Sequence, residues 1–208
     1  MVPVALENPS VKSALDVHRN LLATDVSHEM VRLPSSILTA DDLPRALGVD
    51  AGSCVAVRCY TTGDADGRSG FAAVMVRAGD TPDPVSLLDA LGVASVRPAT
   101  AAETNAATDY AASLVSPLCL PAPVRLLADA ALGGVDVLYT ATGEGGVALG
   151  IRTRDLLVAS GARVTTLTVQ PLAAEGFDWE SGAGSGRAEG RVVDLATGRR
   201  VRPRRTAG

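Results

Sequence analysis

The chain has 208 residues, a formal net charge of −4, and 47% hydrophobic content against only 3% aromatic. That is ample material for one core built from Val, Leu, Ala and Ile, and the length does not call for a second domain. So few aromatic rings argue against the base-stacking platforms of many single-strand nucleic-acid binders. Cys54, Cys59 and Cys119 form no C-x-x-C pair, and His18 and His28 fall in no ligand pattern. Neither a disulfide framework nor a metal is expected, and no cofactor is implied. The first residues lack a basic segment leading into an apolar run. No stretch approaches the roughly 20 apolar residues of a membrane span, so a soluble, cytoplasmic protein with no membrane partner is expected.

In chain order, Ser10 is placed to cap a helix carrying Val11, Ala14, Leu15, Leu21 and Leu22 at helical spacing. Residues 26–33 then alternate as a strand with Val26, His28 and Met30 on one side, where His28 faces either the core or a cavity. Thr39-Ala40-Asp41-Asp42 has the outline of a capping box before a short helix ended by Gly48. Residues 54–60 form the next strand, with Cys54, Ala56, Arg58 and Tyr60 on one face and Val55, Val57 and Cys59 on the other. An arginine flanked by apolar residues in a strand is costly to bury unpaired, so Arg58 lies either on a wet face or in a site.

A polar turn leads to a strand over 71–77, and Asp83-Pro84 starts a helix ended by Gly92. A short strand near 94–97 and a second capping box, Thr100 to Glu103, lead into residues 108–123. This segment reads TDYAASLVSPLCLPAP. Its three prolines lack backbone N–H groups and its serines favour turns, so it forms neither a good helix nor a long strand. Formed loops on rigid scaffolds often carry function, which makes this loop the place to look for a site. Strands follow at 124–127, 135–140 and 147–151, the last two joined by Thr142-Gly143-Glu144-Gly145-Gly146. That turn reads as a hairpin and not a phosphate loop, because no helix follows it directly and no G-K-[ST] appears. Thr153 is placed to cap a helix ended by Gly161, and residues 163–169 read as a closing strand.

From residue 171 the apolar periodicity is lost. Residues 180–190 are rich in Gly, Ser and Ala, and residues 199–205 hold five arginines in seven. A disordered tail is expected over 171–208. It carries seven Arg against five Asp and Glu, a net of +2, which leaves the remainder of the chain near −6.

The order of these elements, with T-x-Y-x(5)-S-P at Thr108 to Pro117, the glycine hairpin and Asp155-Leu156-Leu157 in the following helix, resembles the YbaK/EbsC family. These are bacterial aminoacyl-tRNA deacylases related to the editing domain of prolyl-tRNA synthetases. The likeness runs roughly from Val11 to Thr168. It implies a single α/β domain over 1–170 with a strongly curved, barrel-like mixed β-sheet surrounded by helices. It also implies hydrolysis, without a metal, of the ester in a tRNA mischarged with a small amino acid.

The implied partners are tRNA and an aminoacyl-tRNA synthetase, with no DNA, in a monomer or homodimer. Carried over residue by residue, Arg58 stands where the family has a strand lysine, and Ser113, Ser116 and Pro117 form the catalytic loop. His28, Tyr110, Leu114, Val115, Gly143 and Gly146 would line the substrate. The sequence departs from the family at Ser113 and Leu114, where paired glycines are usual, and at Asp109 and Glu144. These departures leave a second reading, a catalytically inactive YbaK-like binding or interaction module.

Overall fold

The computed structural model describes residues 11–172 of the chain. The tail expected over 171–208 lies almost entirely outside the described residues, as does Ser10. Helix α1, Ala14–Ala23, starts three residues later than Ser10 would set it. Its cap is Ser13, whose N–H and hydroxyl both bond the Asp16 carboxylate at 2.8 Å. Three other start signals hold. Thr39 heads a 3₁₀ turn, Ala40–Asp42, that runs into α2, Leu43–Leu47. Asp83 caps α3, Pro84–Leu91, and Thr100 caps α4, Ala101–Thr108. Thr153 is not a cap: it is the first residue of α5, Thr153–Ser160, and its hydroxyl donates to the Val135 carbonyl.

The strands are β1 (His28–Arg32), β2 (Cys54–Gly63), β3 (Ser69–Arg77), β4 (Asp80–Pro82), β5 (Ser95–Pro98), β6 (Arg125–Asp129), β7 (Val137–Ala141), β8 (Val147–Arg152), β9 (Arg163–Thr165) and β10 (Val169–Pro171). The large mixed sheet runs β1-β8-β7-β2-β3-β6-β9, with β5 also paired to β2. Its two ends do not meet, so the barrel-like expectation is corrected: the sheet is open, with β1 and β9 as edges. Residues 163–169 are two strands instead of one. β9 joins β6 in parallel, whereas β10 pairs with β4 in a separate two-stranded ribbon.

β2 organises the sheet because it forks. One of its edges pairs with β3 from Val55 to Gly63. The other pairs with β7 only at Cys54 and Val55, and with β5 only from Tyr60 to Gly63. Its middle therefore has no strand on that edge. Period-two alternation sends Val55, Val57, Met75, Leu138, Leu149 and Ile151 to one face, where α1, α5 and the loop after α4 cover them. Cys54, Ala56 and Ala148 go to the opposite face, under Leu33, Ile37 and Leu43. Further along that second face, Tyr60, Val74 and Val76 pack under α3 through Leu87 and Leu91. Arg58 sits between these two smaller clusters.

Candidate functional site

The loop from the end of α4 to β6 lies beside the uncovered middle of β2. Leu114 packs in the cluster that holds Cys54 and Ala56, while Tyr110, Val115 and Leu118 pack in the one that holds Val55 and Val57. The chain thus passes from one face of the sheet to the other between two adjacent residues. Leu114 and Val115 are 8% and 2% exposed, and Ser116 and Pro117 are buried beside them.

A buried loop must find partners for its backbone polar groups. α4 ends at Asp109 in the left-handed region, with φ +60°, and the Thr108 hydroxyl accepts the Tyr110 N–H at 3.2 Å. The Tyr110 phenol donates to Leu118 O at 2.9 Å, and Ser116 Oγ accepts the Leu118 N–H at 3.3 Å. Ser116 therefore builds the turn. Ser113 O accepts from Ala40 N at 3.0 Å, Leu114 N donates to Ala111 O at 2.9 Å, and Leu114 O accepts from Gly143 N at 3.0 Å. Among the described residues, the N–H groups of Val115 and Ser116 make no hydrogen bond. Every peptide here is trans. In a trans peptide the N–H points opposite to the C=O, so the Gly143 bond to Leu114 O also fixes the direction of the Val115 N–H.

The glycine hairpin braces the loop. Gly143 has φ +93°, and a Cβ there would collide with the Lys12 carbonyl and the Tyr110 ring. Gly145 abuts the Ile37 carbonyl in the same way, whereas a Cβ on Gly146 would meet open space; the closely packed positions are thus 143 and 145. The sequence departures have structural partners. Glu144 Oε1 accepts the Ala14 N–H at 3.1 Å, placing a carboxylate at the start of α1. Asp109 pairs with Lys12 Nζ at 3.2 Å, and that ammonium lies 5.5 Å from the centre of the Tyr110 ring.

Arg58 is fully engaged. Its two terminal nitrogens meet the Asp41 carboxylate at 2.8 and 2.7 Å, and its Nε donates to Asp80 O at 3.0 Å. Asp41 Oδ1 also accepts the Gly79 N–H at 2.7 Å. The side chains of Arg58 and Asp41 are 19% and 23% exposed. The sequence places Arg58 in a strand, but Asp41 shows there only as part of a capping box, seventeen residues away from its partner.

His28 stands apart, on edge strand β1 and on the face opposite Arg58. Its Nδ1 contacts Val26 O at 2.7 Å and its Nε2 meets His18 Nδ1 at 2.8 Å. A carbonyl only accepts, so His28 carries a proton on Nδ1, and one of the two rings donates to the other across the His18 contact. The two rings line an open groove of about 460 Å³ with Leu22, Asp25 and Met30.

The thiols are poor nucleophiles at neutral pH. Burial pushes Cys54 and Cys59 up to about 12 and raises Cys119 as well. Burial likewise raises the Tyr110 phenol, which stays protonated. Among the described residues no group of three or more His, Cys, Asp or Glu side chains is placed to hold a metal ion. No helix among them is long and apolar enough to cross a membrane.

The sequence model of the aminoacyl-tRNA editing domain matches residues 34–158, more than half of the chain. The chain belongs to this family, and its fold is YbaK-like.

Two solved structures share that fold. Hypothetical protein APE2540 is 24% identical over 74% of this chain and 99% of its own, with a TM-score of 0.64. A candidate trans-editing enzyme for prolyl-tRNA synthetase is 24% identical over 74% of this chain and 96% of its own, also with a TM-score of 0.64. At these identities the likeness is one of fold. No curated protein matches the chain in sequence.

Proposed function

We propose that this protein is an aminoacyl-tRNA deacylase that hydrolyses, in trans, the ester of a tRNA mischarged with a small amino acid. The observation that carries the reading is the pair of unpartnered N–H groups at Val115 and Ser116, on the loop inside the matched editing domain. An aminoacyl ester is already activated. Water adds to its carbonyl carbon, the two amides take the oxyanion, and the ester C–O bond then breaks as the ribose oxygen recovers a proton. Positioning and oxyanion stabilisation are enough for such a reaction, and no protein nucleophile is invoked. Leu114, in the loop next to these amides, favours a small acyl group. The candidate partners are the mischarged tRNA and the synthetase that produced it.

The test is hydrolysis of Ala-, Cys- and Ser-tRNA by the wild type and by Gly143→Ala. The added methyl in Gly143→Ala displaces the hairpin whose N–H orients Leu114 O. Release of one amino acid, lost in the variant while its fold is retained, is the expected result. The packing of Leu114 into the core, where the family has glycine, favours the second reading of a non-hydrolytic binding module. On that reading a folded wild type binds aminoacyl-tRNA and releases nothing from any member of the panel.

A further inference from the structure

Arg58 stands where the family has a strand lysine. Its surroundings describe another task. All three of its guanidinium nitrogens are bonded within the protein, two of them to Asp41 in a bidentate pair. That geometry is rigid as well as strong, since a planar fork matched to a carboxylate fixes both partners. Asp41 takes a third bond from the Gly79 N–H, so its carboxylate is held from β2 and from the turn between β3 and β4 together.

The residue before it, Ala40, is 4% exposed, and its N–H donates to Ser113 O. The Asp41 N–H also bonds Thr39 Oγ1 at 3.2 Å, which ties Asp41 to the Thr39–Ala40 peptide that carries the Ala40 N–H. The Ser113 carbonyl is then held, and with it the direction of the Leu114 N–H in the same trans peptide. The next peptide is held by Gly143 and carries the free Val115 N–H. The loop carbonyls are therefore gripped by donors from two different elements, and Arg58 secures one of those grips from about two residues' remove.

We infer that Arg58 is a positioning residue that acts through Asp41 and the Ala40 N–H on the Ser113 carbonyl, setting the angle of the loop amides without touching the substrate. Asp41 is the second residue of the same device. The inference rests on the editing reading for its catalytic consequence but not for its structural one, and the experiment separates the two.

The experiment is a double-mutant cycle with Arg58→Gln and Asp41→Asn, read in single-turnover and steady-state deacylation. Each single change is expected to lower kcat by roughly 10-fold or more with KM nearly unchanged, because a misplaced oxyanion donor costs rate and not binding. If Arg58 works only through Asp41, the double variant is no worse than the poorer single one; a residue that also contacts tRNA gives losses that multiply. Multiplying losses, or a rise in KM with kcat intact, overturns the inference.

Hydrogen exchange at the Ala40 amide provides the readout that is independent of activity. Arg58→Gln is expected to speed it about 10-fold while amides in the middle of β3 stay protected. An unchanged Ala40 amide overturns the inference whether or not the wild type is a deacylase. Faster Ala40 exchange in a wild type that hydrolyses no tRNA would sustain the device while rejecting the editing reading. Arg58→Lys is the control for misfolding: a single ammonium keeps the charge but not the fork, and an intermediate exchange rate is expected.

Discussion

The two faces of the sheet are closed in different ways. On the face that carries Val57, Met75 and Leu149, a single large cluster is covered by α1, α5 and the loop, and its members are nearly all aliphatic. On the face that carries Arg58, two smaller clusters meet at a seam, and an ion pair closes it. Apolar closure is non-directional and tolerates small shifts, whereas a bidentate ion pair tolerates little. The loop touches both faces. It takes its stability from the first and part of its alignment from the second.

That contrast is sharpest at Leu118, which is fully buried in the larger cluster while its carbonyl takes the Tyr110 phenol. Leu118→Ala should cost about 4 kcal/mol in urea unfolding, the largest stability effect expected here. A loss below about 1 kcal/mol would mean the loop is not part of the core. Leu114, on the other side, should cost less when truncated, about 2 kcal/mol for Leu114→Ala, because its cluster is smaller and it retains some exposure. The same variant should extend hydrolysis toward larger aminoacyl groups if the editing reading holds. An unchanged substrate range would remove Leu114 from the acyl pocket.

At the seam, Asp41→Asn should cost about 1–2 kcal/mol, since the pair is partly screened by solvent. Equal stability in the variant would leave the seam to be closed by apolar contacts alone.

The smallest effect concerns pH. Asp16 is held below the usual carboxylate range by its bonds to Ser13, and Asp42 by Arg45. Glu103 is lowered to about 2 by Arg97 and the Thr100 backbone. Depressed carboxylates favour the folded state when ionised, so this contribution is complete above about pH 4.5 and is lost as pH falls toward 2. All three stand in capping boxes. Acid should therefore loosen the starts of α1, α4 and the turn before α2 ahead of the sheet, visible as early loss of amide protection there.

Much of this architecture was legible because it is local. Capping boxes at Thr39 and Thr100, the Asp83-Pro84 start, the hairpin at Gly143 and the alternation along β2 are all written within a few neighbouring residues. The loop announced itself through its prolines and serines. What stayed hidden depends on distance along the chain. Arg58 and Asp41 are seventeen residues apart, and no pattern in either segment names the other. The ribbon of β4 and β10 is three residues long on each side, too short for alternation to register. The Thr153 hydroxyl found a carbonyl eighteen residues away in place of its own helix start. The departures at Asp109 and Glu144 weakened the resemblance in the sequence, yet each has a definite partner, at Lys12 and at the start of α1.

Lys12 is the only lysine in the chain, and it lies across the head of the loop, with its ammonium on the Thr108 carbonyl. An amine-reactive dye will consequently mark this spot and the chain's amino terminus, and no other side chain. The protein thus has a single built-in side-chain attachment point for an amine-reactive fluorophore. The emission of such a probe would report a ligand's arrival at the head of the loop in real time, with no residue added or removed.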